Sequence, residues 1–229
     1  MKKIFTGLAI LTFSIFYTQI KAITEDGYDV ILLRDGTWRY KNASDADKNE
    51  TAKTNTTLYT ANPNASFLVS SKRMNIGVKY NPKEWNLVNR PSPSPLIEFL
   101  FISQDGGNYA TVSTELTPSI PLATLKDVIT SGLQASTSYI RFKEAEYRTV
   151  NGQKVLYLQY AANVKGMDFE YAGYYYSGES GTAQFVTYTS ASLFEQRKDT
   201  LINFLNGLVP AEKSTLMSPP PPMEVKKSK

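Results

Sequence analysis

The chain reads as an α+β protein, an antiparallel sheet with helices packed against it and a small β-hairpin in front. Three observations predict this. Runs of strand-forming residues are joined end to end by turn dipeptides, above all Asn151-Gly152, the strongest short hairpin signal. Only two stretches place apolar residues at helical spacing. Those stretches stand apart from the strands instead of alternating with them, which argues against a parallel sheet built by crossovers.

The first element is a leader. Lys2 and Lys3 precede a mostly apolar run from Ile4 to Phe16, and the small residue Ala22 closes the segment. This is the layout of a secretory signal peptide over 1–22, cut after Ala22. The run is short and interrupted by Thr6, Gly7, Thr12 and Ser14, too polar for a spanning helix of about 20 apolar residues. The expectation is an exported chain, periplasmic or secreted, with no stable membrane span once the leader is removed.

Residues 23–40 predict a β-hairpin element. Asp26-Gly27 and Asp35-Gly36 are turn dipeptides, and Tyr28 to Arg34 followed by Thr37, Trp38 and Tyr40 supply strands. A lone hairpin is marginal in water, so Val30, Leu32 and Trp38 are expected to pack on something. Residues 41–63 are rich in Asn, Asp, Thr and Lys. They bury too little to offset ordering entropy and read as a flexible linker.

The main domain is expected over 64–211. Phe67 to Ser71 and Ile76 to Tyr80 read as strands, and Trp85 to Val88 as a short third. Leu96 to Ser103 and Tyr109 to Leu116 form a hairpin about Asp105-Gly106-Gly107. Leu122, Leu125, Val128, Ile129 and Leu133 predict a helix over 121–138. A four-strand meander follows, turning at Asn151-Gly152, near Gly166 and around 178–181. Ser192, with Glu195 three residues on, predicts a capping box for a last helix. Its apolar stripe is Leu193, Phe194, Leu201, Phe204, Leu205 and Leu208. The remainder, 212–229, carries Pro219 to Pro222 and three late lysines and reads as a disordered tail.

Composition excludes several chemistries. The chain has neither cysteine nor histidine, so thiol nucleophiles, imidazole bases and Cys/His zinc sites are out. Of 25 basic and 21 acidic residues, Lys2, Lys3 and Lys21 lie in the leader, leaving 22 against 21. A near-neutral body lacks the basic face that nucleic acid requires. No phosphate-cradling loop or nucleophile elbow is present. No cofactor and no metal site is expected, since the Asp105 turn offers one acid where calcium wants about 6–8 oxygens.

Three stretches carry a family resemblance: IGVKYNPKEWNLV at 76–88, NGQKVLYLQYAANVKGMDFEYAGYYY at 151–176, and FEQRKDTLINFLNGL at 194–208. Together with the element order, the span 67–209 resembles the PsbP-like superfamily. That group includes the extrinsic PsbP subunits of photosystem II, a Ran-binding nuclear-import factor and many exported bacterial proteins. The resemblance implies an α/β/α sandwich and a non-catalytic accessory role. It brings no catalytic or ligand residue onto this chain. The DG…DGTW.Y element at 26–40 resembles one near the start of many exported bacterial proteins.

Two groups of residues are candidate sites. Tyr171, Tyr174 and Tyr176 crowd one strand and would suit a partner-binding surface. The acid pairs Glu144/Glu146 and Asp168/Glu170 could in principle serve hydrolysis, but such pairs more often line a wet strand face. The leading expectation is a binding module that contacts a protein partner at the cell envelope. The alternatives are a carrier of an apolar ligand and a carboxylate-dependent hydrolase.

Overall fold

The structure, a computed structural model, describes residues 20–23, 29–33, 38–41, 52–89, 94–117, 119–137 and 139–214. Most of the predicted leader, both Asp-Gly turns of the N-terminal element and the tail from residue 215 lie outside the described residues.

The elements in order are β1 (Ile20–Ile23), β2 (Asp29–Leu32), β3 (Trp38–Tyr40), β4 (Lys53–Tyr59), β5 (Phe67–Ser70), β6 (Ile76–Tyr80), β7 (Trp85–Leu87), β8 (Ile97–Ser103) and β9 (Tyr109–Glu115). Then come α1 (Leu122–Ser136), β10 (Tyr139–Val150), β11 (Gln153–Val164), β12 (Met167–Gly178), β13 (Gly181–Ser190), α2 (Phe194–Leu205) and β14 (Leu208–Pro210). An eight-stranded sheet runs β4-β10-β11-β12-β13-β9-β8-β7, and a small sheet runs β14-β6-β5. The chain is α+β, as expected.

The sheet is mixed, however, not purely antiparallel. β4 lies parallel to β10, with Glu146 opposite Lys53 and Val150 opposite Tyr59. This also corrects the linker expected over 41–63, whose second half is the edge strand β4. Its polar sequence hides the strand, because an edge strand needs no apolar face when specific polar bonds hold it. Asn55 donates to Glu146 Oε2 at 2.9 Å, and the Asn151 amide donates to the Tyr59 carbonyl at 2.9 Å. Thr54, Thr56 and Thr57 supply β-branched residues.

The N-terminal hairpin is one strand larger than expected. β2 pairs antiparallel with both β1 and β3, and β1 takes in residues 20–22 of the predicted leader. Val30 is buried as expected, with Ile31, whereas Leu32 and Trp38 remain exposed. Asp29 ties this meander to β10 through Arg141, 3.6 Å away.

The two faces of the large sheet are covered differently. Val155, Tyr157, Ala172, Tyr174 and Phe185 face α2 and the small sheet. Leu156, Leu158, Tyr160, Tyr175 and Val186 face the side covered by α1. This is strand alternation on two buried faces. On the α2 side, Trp85 stacks on Phe204 at 4.0 Å, and Phe101 and Phe185 meet the same ring edge-on at 5.1 and 5.2 Å. The expected capping box is absent. α2 starts at Phe194 with Leu193 at its N-cap and no side-chain cap, while the Ser192 hydroxyl lies 3.1 Å from that of Ser190. Leu193 points outward, and Leu208 belongs to β14, where it pairs with Val78.

Candidate interaction surface

Register builds the most distinctive feature of the α1 side. Tyr109 pairs with Tyr188, Tyr188 with Tyr171, Tyr171 with Tyr160, and Tyr160 with Phe142. Directly paired residues project to the same face, so five aromatic side chains form one row across β9, β13, β12, β11 and β10. The ring centroids step by 5.3, 5.2, 4.9 and 5.7 Å along it. Phe169 meets Tyr188 edge-on at 5.9 Å.

Helix α1 covers only part of this row. It packs on β10, β11 and β12. The chain enters it beside β12, where the Ile120 amide donates to Ser177 Oγ at 2.9 Å, and leaves it for the start of β10. Tyr160 and Phe142 are therefore buried, while Tyr109, Tyr188, Tyr171 and Phe169 stay half-buried. Tyr160 receives a long 3.5 Å bond from Tyr175. Among the described residues, the hydroxyls of Tyr109, Tyr171 and Tyr188 bond to no protein group. Burial pushes the Tyr171 phenol up to about 12 and raises Tyr188 as well, so both stay protonated donors at neutral pH.

The three tyrosines singled out in the sequence do not share one surface. Tyr171 joins the row. Tyr174 points to the opposite face, is fully buried, and donates to Asn206 Oδ1 at 2.7 Å. Tyr176 follows Tyr174 by the strand period and packs half-buried against the same core. Strand alternation already sets Tyr171 on one face and Tyr174 and Tyr176 on the other, and these two belong to the layer beneath α2. Tyr109, Tyr188, Tyr160, Phe142 and Phe169 are residues that sequence reasoning missed. Counting back from the turn after Gly178 would have set Tyr171 opposite Tyr188, because Gly178 pairs with Gly181.

The acid pairs meet hydrogen-bonding partners, three of the four acids a cation, instead of facing each other across an open cleft. A bulge between Phe142 and Glu144 shifts the β10 register and places Lys143 and Glu144 on the α2 side together. Arg148, itself buried, bonds Glu146 Oε2 at 2.7 Å and Glu144 Oε1 at 3.4 Å. Glu170, also buried, receives Lys143 Nζ and Gln159 Nε2, each at 2.6 Å. Asp168 accepts from Asn163 at 2.7 Å. Among the described residues no group of three acids is placed to hold a metal ion.

Beside Trp85, a cleft lined by Asn62, Glu84, Asn203 and Phe204 has a free volume of about 20 Å³. That is room for about one water, against roughly 300–1,000 Å³ for a small-molecule pocket.

No family model matches the chain, and no curated protein does. Solved structures do resemble it. LpqN of Mycobacterium tuberculosis, described as involved in cell envelope biogenesis, shares 14% identity at a TM-score of 0.44, over 58% of this chain and 82% of that one. PA94 of Pseudomonas aeruginosa, a protein of unknown function, shares 10% identity at a TM-score of 0.44, over 64% of this chain and 97% of that one. The chain is also similar to the cyanobacterial PsbP of Synechocystis, at 16% identity and a TM-score of 0.48, over 62% of this chain and 90% of that one.

Proposed function

We propose that this chain is an exported, non-catalytic binding module that engages a protein partner at the cell envelope through the row Tyr109–Tyr188–Tyr171 and the adjoining Phe169. One observation carries the reading. Three tyrosines stand in direct register on a part of the sheet that α1 leaves open, half-buried and, among the described residues, with hydroxyls bonded to no protein group. Aromatic rings with a free polar end supply large contact area and directional bonds together, the combination enriched in protein interfaces. Export rests on the Lys2-Lys3 start and the apolar run to Phe16.

The two alternatives are weaker. A hydrolase would need two carboxylates flanking a cleft, whereas Glu144 and Glu146 share the Arg148 guanidinium and Glu170 is held by Lys143 and Gln159. A ligand carrier would need space between sheet and helix, and the α2 side is filled by Trp85, Phe101, Phe185 and Phe204 in mutual ring contact.

Site-specific photo-crosslinking in the producing cell tests the proposal. A photoreactive phenylalanine replacing Tyr109 or Tyr188 is expected to give a discrete adduct with one protein. The same replacement at Glu179, on the far turn, gives none. Tyr171→Ala is expected to remove the adduct while Tyr174→Phe retains it. Equal labelling at Glu179, or an adduct indifferent to Tyr171, would move the interface elsewhere.

A further inference from the structure

The first strand of the fold lies across the end of the predicted leader. β1 pairs with β2 at four positions, Ile20 with Leu32, Lys21 with Ile31, Ala22 with Val30 and Ile23 with Asp29. A cut after Ala22 would remove the first three of these pairs and leave Ile23 as the whole of β1.

The loss would fall on buried backbone. The Lys41 amide donates to the Asp29 carbonyl at 2.9 Å, so Asp29 and Ile31 turn their backbone groups toward β3. Alternation turns those of Val30 and Leu32 toward β1. Val30 is 4% exposed and stands opposite Ala22. Without Ala22 its N–H and C=O lose their strand partner where the side chain is already out of water, an unfavourable state for any backbone group. β2 and β3 would also be reduced to a lone hairpin, marginal in water, where β1 makes a three-stranded sheet. Asp29 carries this sheet to the main domain through Arg141 of β10.

The residues around the cut agree. A leader ends on small residues at its last position and two before it. For a cut after Ala22 the second of these is the bulky Ile20. Upstream, Thr12 and Ser14 stand at that spacing, and Thr18 is the last small residue before β1.

We propose that the leader is removed between Ser14 and Ile20, so that the exported protein keeps β1 whole as the strand that completes its N-terminal sheet. This rests on the export reading above and moves the processing site upstream of the one expected from sequence.

Reading the N-terminus of the full chain after expression in the producing cell, by intact mass and stepwise sequencing, tests it. A start from residue 15 to residue 20 is expected. A start at Ile23 overturns the proposal and leaves export standing. An uncut chain overturns it wherever it is found, and one held in the cytosol overturns the export reading too. Ala22→Leu, which puts a bulky residue at the last position of the expected leader, is expected to be processed at a rate within about twofold of the unmodified chain. Its accumulation uncut overturns the proposal. In the processed protein, Ala22→Pro removes a donor from β1, and the amides of Val30 and Leu32 are expected to exchange at least about tenfold faster than without the substitution. Equal exchange overturns the retention of β1.

Discussion

Arg148 sits over Tyr157, its guanidinium carbon 3.5 Å from the ring centroid. The same group lies 4.9 Å from the Tyr59 ring and bonds Glu146 and Glu144, so one buried cation joins β4, β10 and β11. Its removal strips two aromatic contacts and leaves Glu146 with Asn55 alone. Arg148→Ala is expected to cost about 3–5 kcal/mol, and Arg148→Lys to cost less. Urea denaturation measures both. Hydrogen exchange is expected to show 53–59 losing protection first, because β4 depends on this cluster. A cost below about 1 kcal/mol, the range of exposed pairs, would show that the cluster does not hold the edge strand.

Asp105 gives a dependence at low pH. The Ser103 hydroxyl donates to its carboxylate, Arg197 pairs with it, and the Gly107 amide adds a bond, holding it down to about 2. The unfolded carboxyl titrates near 3.8. The folded state therefore binds fewer protons, and the stabilisation is present above about pH 4 and lost as pH falls toward 2. Its size is small, since the side chain is 46% exposed. Asp105→Asn is expected to flatten the stability profile between those pH values and leave it otherwise parallel. Identical acid profiles for the two proteins would count against the pairing.

The tyrosines set the opposite limit. Burial pushes Tyr171, Tyr174 and Tyr175 up to about 12, from an ordinary value of 10. The folded state holds protons that the unfolded chain releases, so this stability is complete below about pH 10 and lost on the way to 12. Phenolate absorbance is expected to rise in two stages. Exposed tyrosines ionise first, and the buried set follows together with loss of the sheet's circular dichroism. Ionisation of every tyrosine before any unfolding would contradict the burial of the row and of Tyr174.

Much of this architecture is legible in the chain, and the gaps have specific causes. Asn151-Gly152 dictates its turn outright, with φ of 46° and 81° at the two residues. α1 and α2 follow from apolar spacing. β4 was hidden because the bond from Asn55 to Glu146 holds it, partners 91 residues apart in sequence that no local pattern joins. β14 was hidden by brevity, three residues that follow closely on a helix end and finish with Pro210. The aromatic row is an issue of register. Alternation along β12 separates Tyr171 from Tyr174, while only strand pairing shows that Tyr109, Tyr188 and Tyr171 align.

The junction of α2 and β14 leaves no room for a side chain at Gly207. The Asn151 side-chain amide donates to the carbonyls of Asn206 and Leu208 at 2.8 and 2.7 Å, fixing the hairpin tip against the helix end. Between those carbonyls sits Gly207, where a Cβ would lie 2.2 Å from the Lys79 carbonyl oxygen and 2.9 Å from that of Phe204. Both obstacles are backbone, so relief requires moving β6 or the last turn of α2. Gly207→Ala is expected to destabilise by more than about 3 kcal/mol or to prevent folding. Asn151→Gly keeps the positive φ and loses the side-chain bonds, at an expected cost of about 1–3 kcal/mol. Gly152→Ala meets open space and bears only the strain of φ +81°, at about 1 kcal/mol. Thermal or urea unfolding of the three variants ranks them. Gly152→Ala exceeding Gly207→Ala would show that turn strain, not the contact of α2 with β6, governs this corner of the fold.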